Sequence, residues 1–325
     1  MAKKAFITGV NGQDGSYLAE LLLLKGYEVY GFIRKVALED EQHKMNRLIH
    51  IKNEIHLIPG SLENYPSIYN AIKNICPDEV YHLAAQSYVS YSFDDEYSTL
   101  NTNINGTYFI LAACKDLAPQ ARIYFAASSE MFGNAKQTPQ NESTPFCPRS
   151  IYGISKVAGF DLTRNYREVY NLHACSGIMF NHESPRRGFE FVTRKITSYT
   201  ARIKLGLENR IKLGNIEAKR DWGHAKEYVN AMWLMLQQDE PDDYVVASGE
   251  THSVKEFLEL AFNHVDLDYR DYLEIDERLY RPAEIIQLQG DAARARNHLG
   301  WSPKISFQEL VIEMVDNDIA LLTKR

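Results

Sequence analysis

Four side chains between residues 128 and 156 have the types and spacing of a set for moving protons: the Ser128 hydroxyl, the Glu130 carboxylate, the Tyr152 phenol and the Lys156 amine. Tyr152 and Lys156 stand four residues apart, so on a helix both side chains leave the same face. An ammonium that close is expected to lower the phenol's pKa from about 10 toward neutrality. Upstream, the apolar run from Ile123 to Ala127 reads as a buried strand, with Ser128 and Glu130 following at i and i+2. If extended backbone continues past the strand, both point to one side of its end. A carboxylate beside a hydroxyl and an activatable tyrosine suits general acid and base work.

The elements that must position this set begin at the N-terminus. Lys4 to Thr8 is a short β-type run that flows into Gly9-Val10-Asn11-Gly12-Gln13-Asp14-Gly15. A helical pattern with Leu18, Leu21 and Leu22 on one face follows, Gly26 ends it, and Glu28 to Ile33 reads as a second strand. In that βαβ setting the glycine spacing has a mechanism: a tight turn, close backbone approach, and a helix N-terminus for a pyrophosphate. After the second strand come Arg34 and Lys35, where an acid for a ribose hydroxyl is common. A cation there suits the 2′-phosphate of NADP, which is favoured over NAD.

Further alternation gives strands at 55–58, 79–85, 123–127 and 173–180, and helices at 67–75 and 98–117, the latter with Gly106 inside it. The pattern predicts an α/β fold, a doubly wound parallel Rossmann sheet with its ligand at the C-terminal strand ends. Leu83-Ala84-Ala85 closes one strand in small residues, which lets a cofactor lie close. Beyond Asn181 a charged loop leads to a helix at 191–205, then helices at 224–238, 253–265 and 306–322 and a strand at 244–247. These build a smaller mixed α/β lobe. Residues 1–180 are therefore expected to form the cofactor-binding domain, with elements up to about 250 interleaving, and 181–325 mainly the substrate lobe. Lys195, Arg220 and Arg281 are among the cations that could gather there into an anion pocket.

At 325 residues with a net charge of −7, the chain has ample core and no bias toward nucleic acid or an acidic membrane. The longest apolar run falls short of a membrane span. Four scattered cysteines, Cys76, Cys114, Cys147 and Cys175, fit neither a metal site nor a disulfide framework, and a reducing cytoplasm is the expected location.

Together these motifs resemble the extended short-chain dehydrogenase/reductase family: TGxxGxxG at Thr8 to Gly15, LAA after the fourth strand and YxxxK at Tyr152 to Lys156. Within it the chain is most similar to the GDP-mannose 4,6-dehydratases, through TGVNGQDGSYLAE, HLAAQSYV, PQNESTPFCPRSIYGISK, NHESPRRGFEFVTRKIT and KRDWGHAKEYV. The resemblance runs over nearly the whole chain. It implies a catalytic set of Ser128, Glu130, Tyr152 and Lys156, with Ser128 at a position where the family usually has threonine. It implies an NADP site of Gly9, Asn11, Gly12, Gln13, Asp14, Gly15, Arg34, Leu62, Leu83, Ala84, Ala85, Ser87, His182 and Arg187, together with Tyr152 and Lys156. For a GDP-sugar it implies Ser87, Ser128, Glu130, Tyr152, Asn181, Val192, Lys195, Gly214, Arg220, Arg281 and Glu284, and no metal. Glu130 matches the dehydratase base, where sugar-nucleotide epimerases typically have no carboxylate. A manno-heptose nucleotide is the alternative substrate, and an epimerase or reductase the alternative activity. The family's arginine-arginine-serine segment, which reaches a neighbouring subunit's cofactor site, is replaced here by Arg34-Lys35-Val36-Ala37-Leu38. A homodimer or homotetramer is expected.

Overall fold

A computed structural model describes residues 2–280, 285 and 287–323. Its centre is a seven-stranded sheet whose strands are all parallel: β1 (Lys4–Thr8), β2 (Glu28–Ile33), β3 (His56–Pro59), β4 (Glu79–His82), β5 (Arg122–Ser128), β6 (Ala174–Met179) and β7 (Tyr244–Val246). They lie in the order β7-β6-β5-β4-β1-β2-β3. Alternation along β1 explains why these strands read as unbroken apolar runs. Ala5 and Ile7 enter one core with Leu18 and Leu22 of helix α1 (Gln13–Leu24), whereas Phe6 enters the opposite core with Ile68 and Ile72 of helix α2 (Tyr65–Ile75). Both faces are covered, so neither can be polar.

Helix α3 (Gly106–Leu117) covers the second core, while α4 (Ile151–Tyr170) places Phe160 in the first and Tyr166 in the second. The chain past residue 181 divides its elements. Helix α6 (Ala225–Met235) and β7 join the large sheet, while α5 (Val192–Lys204), α7 (Val254–Asn263) and α8 (Phe307–Thr323) close a third core around Ile196, Phe257, Leu258, Leu310 and Met314. A capping box at Ser253 and Glu256 starts α7. Three two-stranded ladders complete this part, one of them pairing Asn181–Glu183 with Trp222–His224.

Two expected elements differ. The fourth strand ends at His82 instead of continuing through Ala85, because the Thr8 hydroxyl accepts from the Leu83 and Ala84 amides, both at 3.1 Å, and turns the chain out of the ladder. The helix expected over 98–117 is interrupted: a short helix at Glu96–Leu100 passes through a π-turn at Asn101–Asn105 before α3 begins at Gly106. Inside that turn the buried Asn103 side chain accepts from the Gln86 amide at 2.8 Å and donates to the Gln86 carbonyl at 3.1 Å. Among the described residues no helix is long and apolar enough to cross a membrane, and no cluster could hold a metal ion.

Candidate active site

The sheet order reverses direction between β1 and β4, and a crevice opens beyond their C-terminal ends. A cavity of about 1050 Å³ occupies it. Every site residue expected from the sequence lines this cavity except Arg281 and Glu284, which lie outside the described residues.

The glycine loop forms one wall. Gly9 has φ +72, and a side chain there would meet the Ala84 backbone at 3.0 Å. Gly12 donates to the Gly9 carbonyl at 2.9 Å and precedes α1 without a side-chain cap, which leaves the helix's first amides open for an anion. Gly15 has no room for a Cβ, which would stand 2.3 Å from the Gly9 carbonyl oxygen. The opposite wall is stitched to this loop. His182 Nε2 lies 2.8 Å from Asp14 Oδ2, Gln13 donates to the His182 carbonyl at 3.1 Å, and Ser184 donates to Gln13 at 2.8 Å. Burial alone would lower the His182 pKa, but the Asp14 carboxylate outweighs it and the net direction is up. Burial likewise works to raise Asp14, yet the imidazolium holds it below the usual carboxylate range. Arg187 packs its guanidinium over the Phe191 ring at 3.6 Å and lies 3.1 Å from Glu183, though without the alignment of a hydrogen bond at Nε.

Ser128 ends β5, but the extended backbone stops there. Ser129–Met131 forms a single 3₁₀ turn, and the Ser128 hydroxyl accepts from the Glu130 amide at 3.2 Å. Glu130 therefore enters the cavity from a turn and not from a continuing strand. The start of α4 backs onto this turn through Gly153, where a Cβ would come within 2.7 Å of the Glu130 carbonyl, and Ser150 caps the helix by accepting from the Gly153 amide. That contact brings Tyr152 to the same wall. Tyr152, Glu130 and Lys156 are all buried.

The expected effect of Lys156 on the phenol is corrected by the structure. Burial pushes Tyr152 up to about 12, against a hydrogen bond with Ser128 that acts the other way. The Lys156 ammonium donates to the Ala126 carbonyl at 2.7 Å, lies 5.8 Å from the Tyr152 ring centre, and is itself lowered to about 8 by burial. Spacing placed the two side chains on one face, but desolvation of the phenol dominates.

On the lobe side, the Asn181 Oδ1 atom is buried without a hydrogen-bond partner among the described residues, Gly214 packs closely on the Leu279 backbone, and Arg220 donates to the Ile285 carbonyl at 2.8 Å. Burial lowers Lys195, while Asp276 opposes that shift. Val192 and the exposed Ser87 complete this end. Leu62 packs beneath Gly106, and Arg34 is exposed at the rim. Sequence reasoning missed His43, Lys44 and Arg47, which also line the cavity. They follow an acidic stretch in the chain, and no spacing signal marks them.

The family model for GDP-mannose 4,6 dehydratase matches residues 6–314. GDP-mannose 4,6 dehydratase 1 of Arabidopsis thaliana is 50% identical over 98% of this chain and 90% of its own length. The Homo sapiens GDP-mannose 4,6 dehydratase is 45% identical over 98% of this chain and 92% of its own. Among solved structures, a UDP-glucose 4-epimerase of Thermotoga maritima superposes with a TM-score of 0.86 over 99% of this chain and 100% of that one, at 22% identity. A dTDP-glucose 4,6-dehydratase of Streptomyces venezuelae superposes with a TM-score of 0.85 over 97% of this chain and 96% of that one, at 20% identity. Those two share the fold, and the sequence matches carry more: by a family model spanning most of the chain and relatives near half identical, this chain belongs to the GDP-mannose 4,6-dehydratase family.

Proposed function

We propose that the protein binds NADP along the glycine loop and converts GDP-mannose to its 4-keto-6-deoxy derivative, with Ser128, Glu130, Tyr152 and Lys156 carrying the chemistry. The observation that carries this reading is the placement of a buried carboxylate, Glu130, with Ser128 and Tyr152 in the cavity that also takes in an uncapped helix N-terminus. A reductase or epimerase set has no need of that carboxylate. The uncapped helix start and the crowded Gly9 and Gly15 positions fit a dinucleotide's pyrophosphate.

When bound, the nicotinamide supplies reversible two-electron exchange with the sugar. Tyr152 takes the proton of the C4 hydroxyl as that carbon is oxidised, and Ser128 holds the same oxygen by a hydrogen bond. Lys156, one helical turn along, supplies positive charge 5.8 Å from the phenol ring centre, which opposes without reversing the burial that raises Tyr152. The C4 ketone acidifies C5. Glu130 removes the C5 proton and delivers a proton to the C6 hydroxyl, which leaves as water. The proton held by Tyr152 returns through solvent to C5 while C6 is reduced, so the sum is loss of one water with no net redox change.

The lobe built on α5, α7 and α8, with Asn181, Lys195 and Arg220 at its cavity edge, is assigned to the nucleotide sugar. Arg34 at the rim supports NADP over NAD. The exposed side chains of Tyr97, Tyr108 and Ile154 support a homodimer formed through the short helix before the π-turn, α3 and α4. The reaction is tested by incubating the protein with GDP-mannose and no added reductant. Accumulation of a 4-keto sugar absorbing in alkali is expected, and an isomer of unchanged mass would overturn the dehydratase reading.

A further inference from the structure

Four basic side chains line the cavity at its glycine-loop end: Arg34, His43, Lys44 and Arg47. His43 lies 2.7 Å from Asp40, Lys44 lies 4.0 Å from the same carboxylate, and Arg34 is exposed to solvent. Arg47 differs from these three. It is only partly exposed, and the acceptors it has are backbone carbonyls: Nε donates to Arg186 at 2.7 Å and Nη1 to Asn11 at 3.4 Å. Among the described residues no carboxylate stands within ion-pair distance of it, and Glu190 acts on it only from further away.

These anchors fix the guanidinium between the two walls of the cofactor crevice. One edge rests on the glycine loop, and the other on the chain entering Arg187. The segment that carries it is held in place, because Met45 and Leu48 are buried and the Asn11 side chain donates to the Lys44 carbonyl at 3.1 Å. Burial disfavours this charge, and Arg194, Arg186 and Arg187 add repulsion against the pull of Glu190. A partly desolvated cation among other cations calls for an anion. With Nε and one amino group bonded to carbonyls, the second amino group, Nη2, has no partner among the described residues and remains to donate to a phosphate oxygen.

We propose that Arg47 binds a phosphate of the dinucleotide, and so contributes to cofactor affinity more than the exposed Arg34 does. This rests on the nicotinamide dinucleotide reading given above. The phosphate is either the bridging diphosphate or the 2′-phosphate of NADP, and competing ligands distinguish them.

The test uses the full chain and its Arg47→Met variant, which keeps the aliphatic stem. NADPH and NADH binding are read by nicotinamide fluorescence, followed by displacement with 2′,5′-ADP and with 5′-ADP. The variant should bind NADPH at least about tenfold more weakly, the scale of one charge-assisted hydrogen bond. A matching loss for 2′,5′-ADP alone places Arg47 on the 2′-phosphate, whereas equal losses for both competitors place it on the diphosphate. Arg47→Lys should recover part of the loss. GDP binding by Arg47→Met should be unchanged, which separates a local effect from misfolding. If GDP binding survives and NADPH affinity equals that of the parent, the assignment is wrong. If the parent itself binds neither NADPH nor NADH, the underlying cofactor reading falls first.

Discussion

Lys156 is held by the fold at a cost. Its ammonium is charged in both folded and unfolded chains below about pH 8, so the burial penalty is fully present there. Between about 8 and the ordinary value of 10.5 the unfolded chain binds more protons, and stability from this group rises with pH. A depression of that size corresponds to about 3 kcal/mol, and loss of the bond to the Ala126 carbonyl offsets about 1 kcal/mol. Lys156→Met should therefore stabilise the protein by about 2 kcal/mol near neutral pH while removing activity, and the gain should shrink as pH rises toward 10.5. Denaturant unfolding across that range checks it, and a destabilised variant would contradict the burial account. That these four residues gather at one cavity was legible in the sequence, because the Tyr152 and Lys156 spacing and the strand end carrying Ser128 and Glu130 are local features. The sequence did not reveal the direction of the Tyr152 shift, which depends on how deeply distant elements bury the phenol. Arg47 was hidden for a similar reason, since its environment is made by Asn11 and Arg186, which are remote in the chain.

At the scale of elements, alternation and apolar runs were enough to find the strands of the large sheet and the longer helices but not the short strands of the three ladders, and other differences arise where a side chain captures backbone groups. Thr8 takes two amides from the end of the fourth strand, and Asn103, inside the π-turn, clamps the Gln86 backbone. The 3₁₀ turn at Ser129–Met131 is another case, closed by the Ser128 hydroxyl. The β1–α1 junction is the element most exposed to a single change. Gly15→Ala gains about 1 kcal/mol in helix propensity, but its methyl group would press on the Gly9 carbonyl and Val10, an overpacking cost of about 1–3 kcal/mol. The strain falls on the loop proposed to hold the pyrophosphate, so the variant should lose NADPH affinity and should not gain thermal stability. Fluorescence titration and a melting curve test both, and parent-like affinity would mean that the loop tolerates a shift.

At the scale of the whole molecule, the part assigned to the nucleotide sugar is tied to the large sheet, because the last sheet strand, β7, and its neighbour α6 come from the chain beyond residue 181. The boundary expected near residue 180 rested on the change in composition, whereas the return of the chain to the sheet depends on the long-range pairing of β7 with β6. The exposed aromatic face around Tyr97 and Tyr108 leads to an expected dimer in light scattering at working concentration, and a monomer would show that this face stays in solvent. In the proposed reaction Glu130 is the base that separates dehydration from simple oxidation. Its most direct test is Glu130→Gln, which keeps shape and hydrogen bonding but cannot accept the C5 proton as a carboxylate. In deuterated water, the parent should release a 6-deoxy product carrying solvent deuterium at C5. The variant should bind the GDP-sugar, reduce NADP in at most a single turnover, and form product about a hundredfold more slowly or less. Formation of the 4-keto-6-deoxy sugar by Glu130→Gln at the parent's rate would contradict the account.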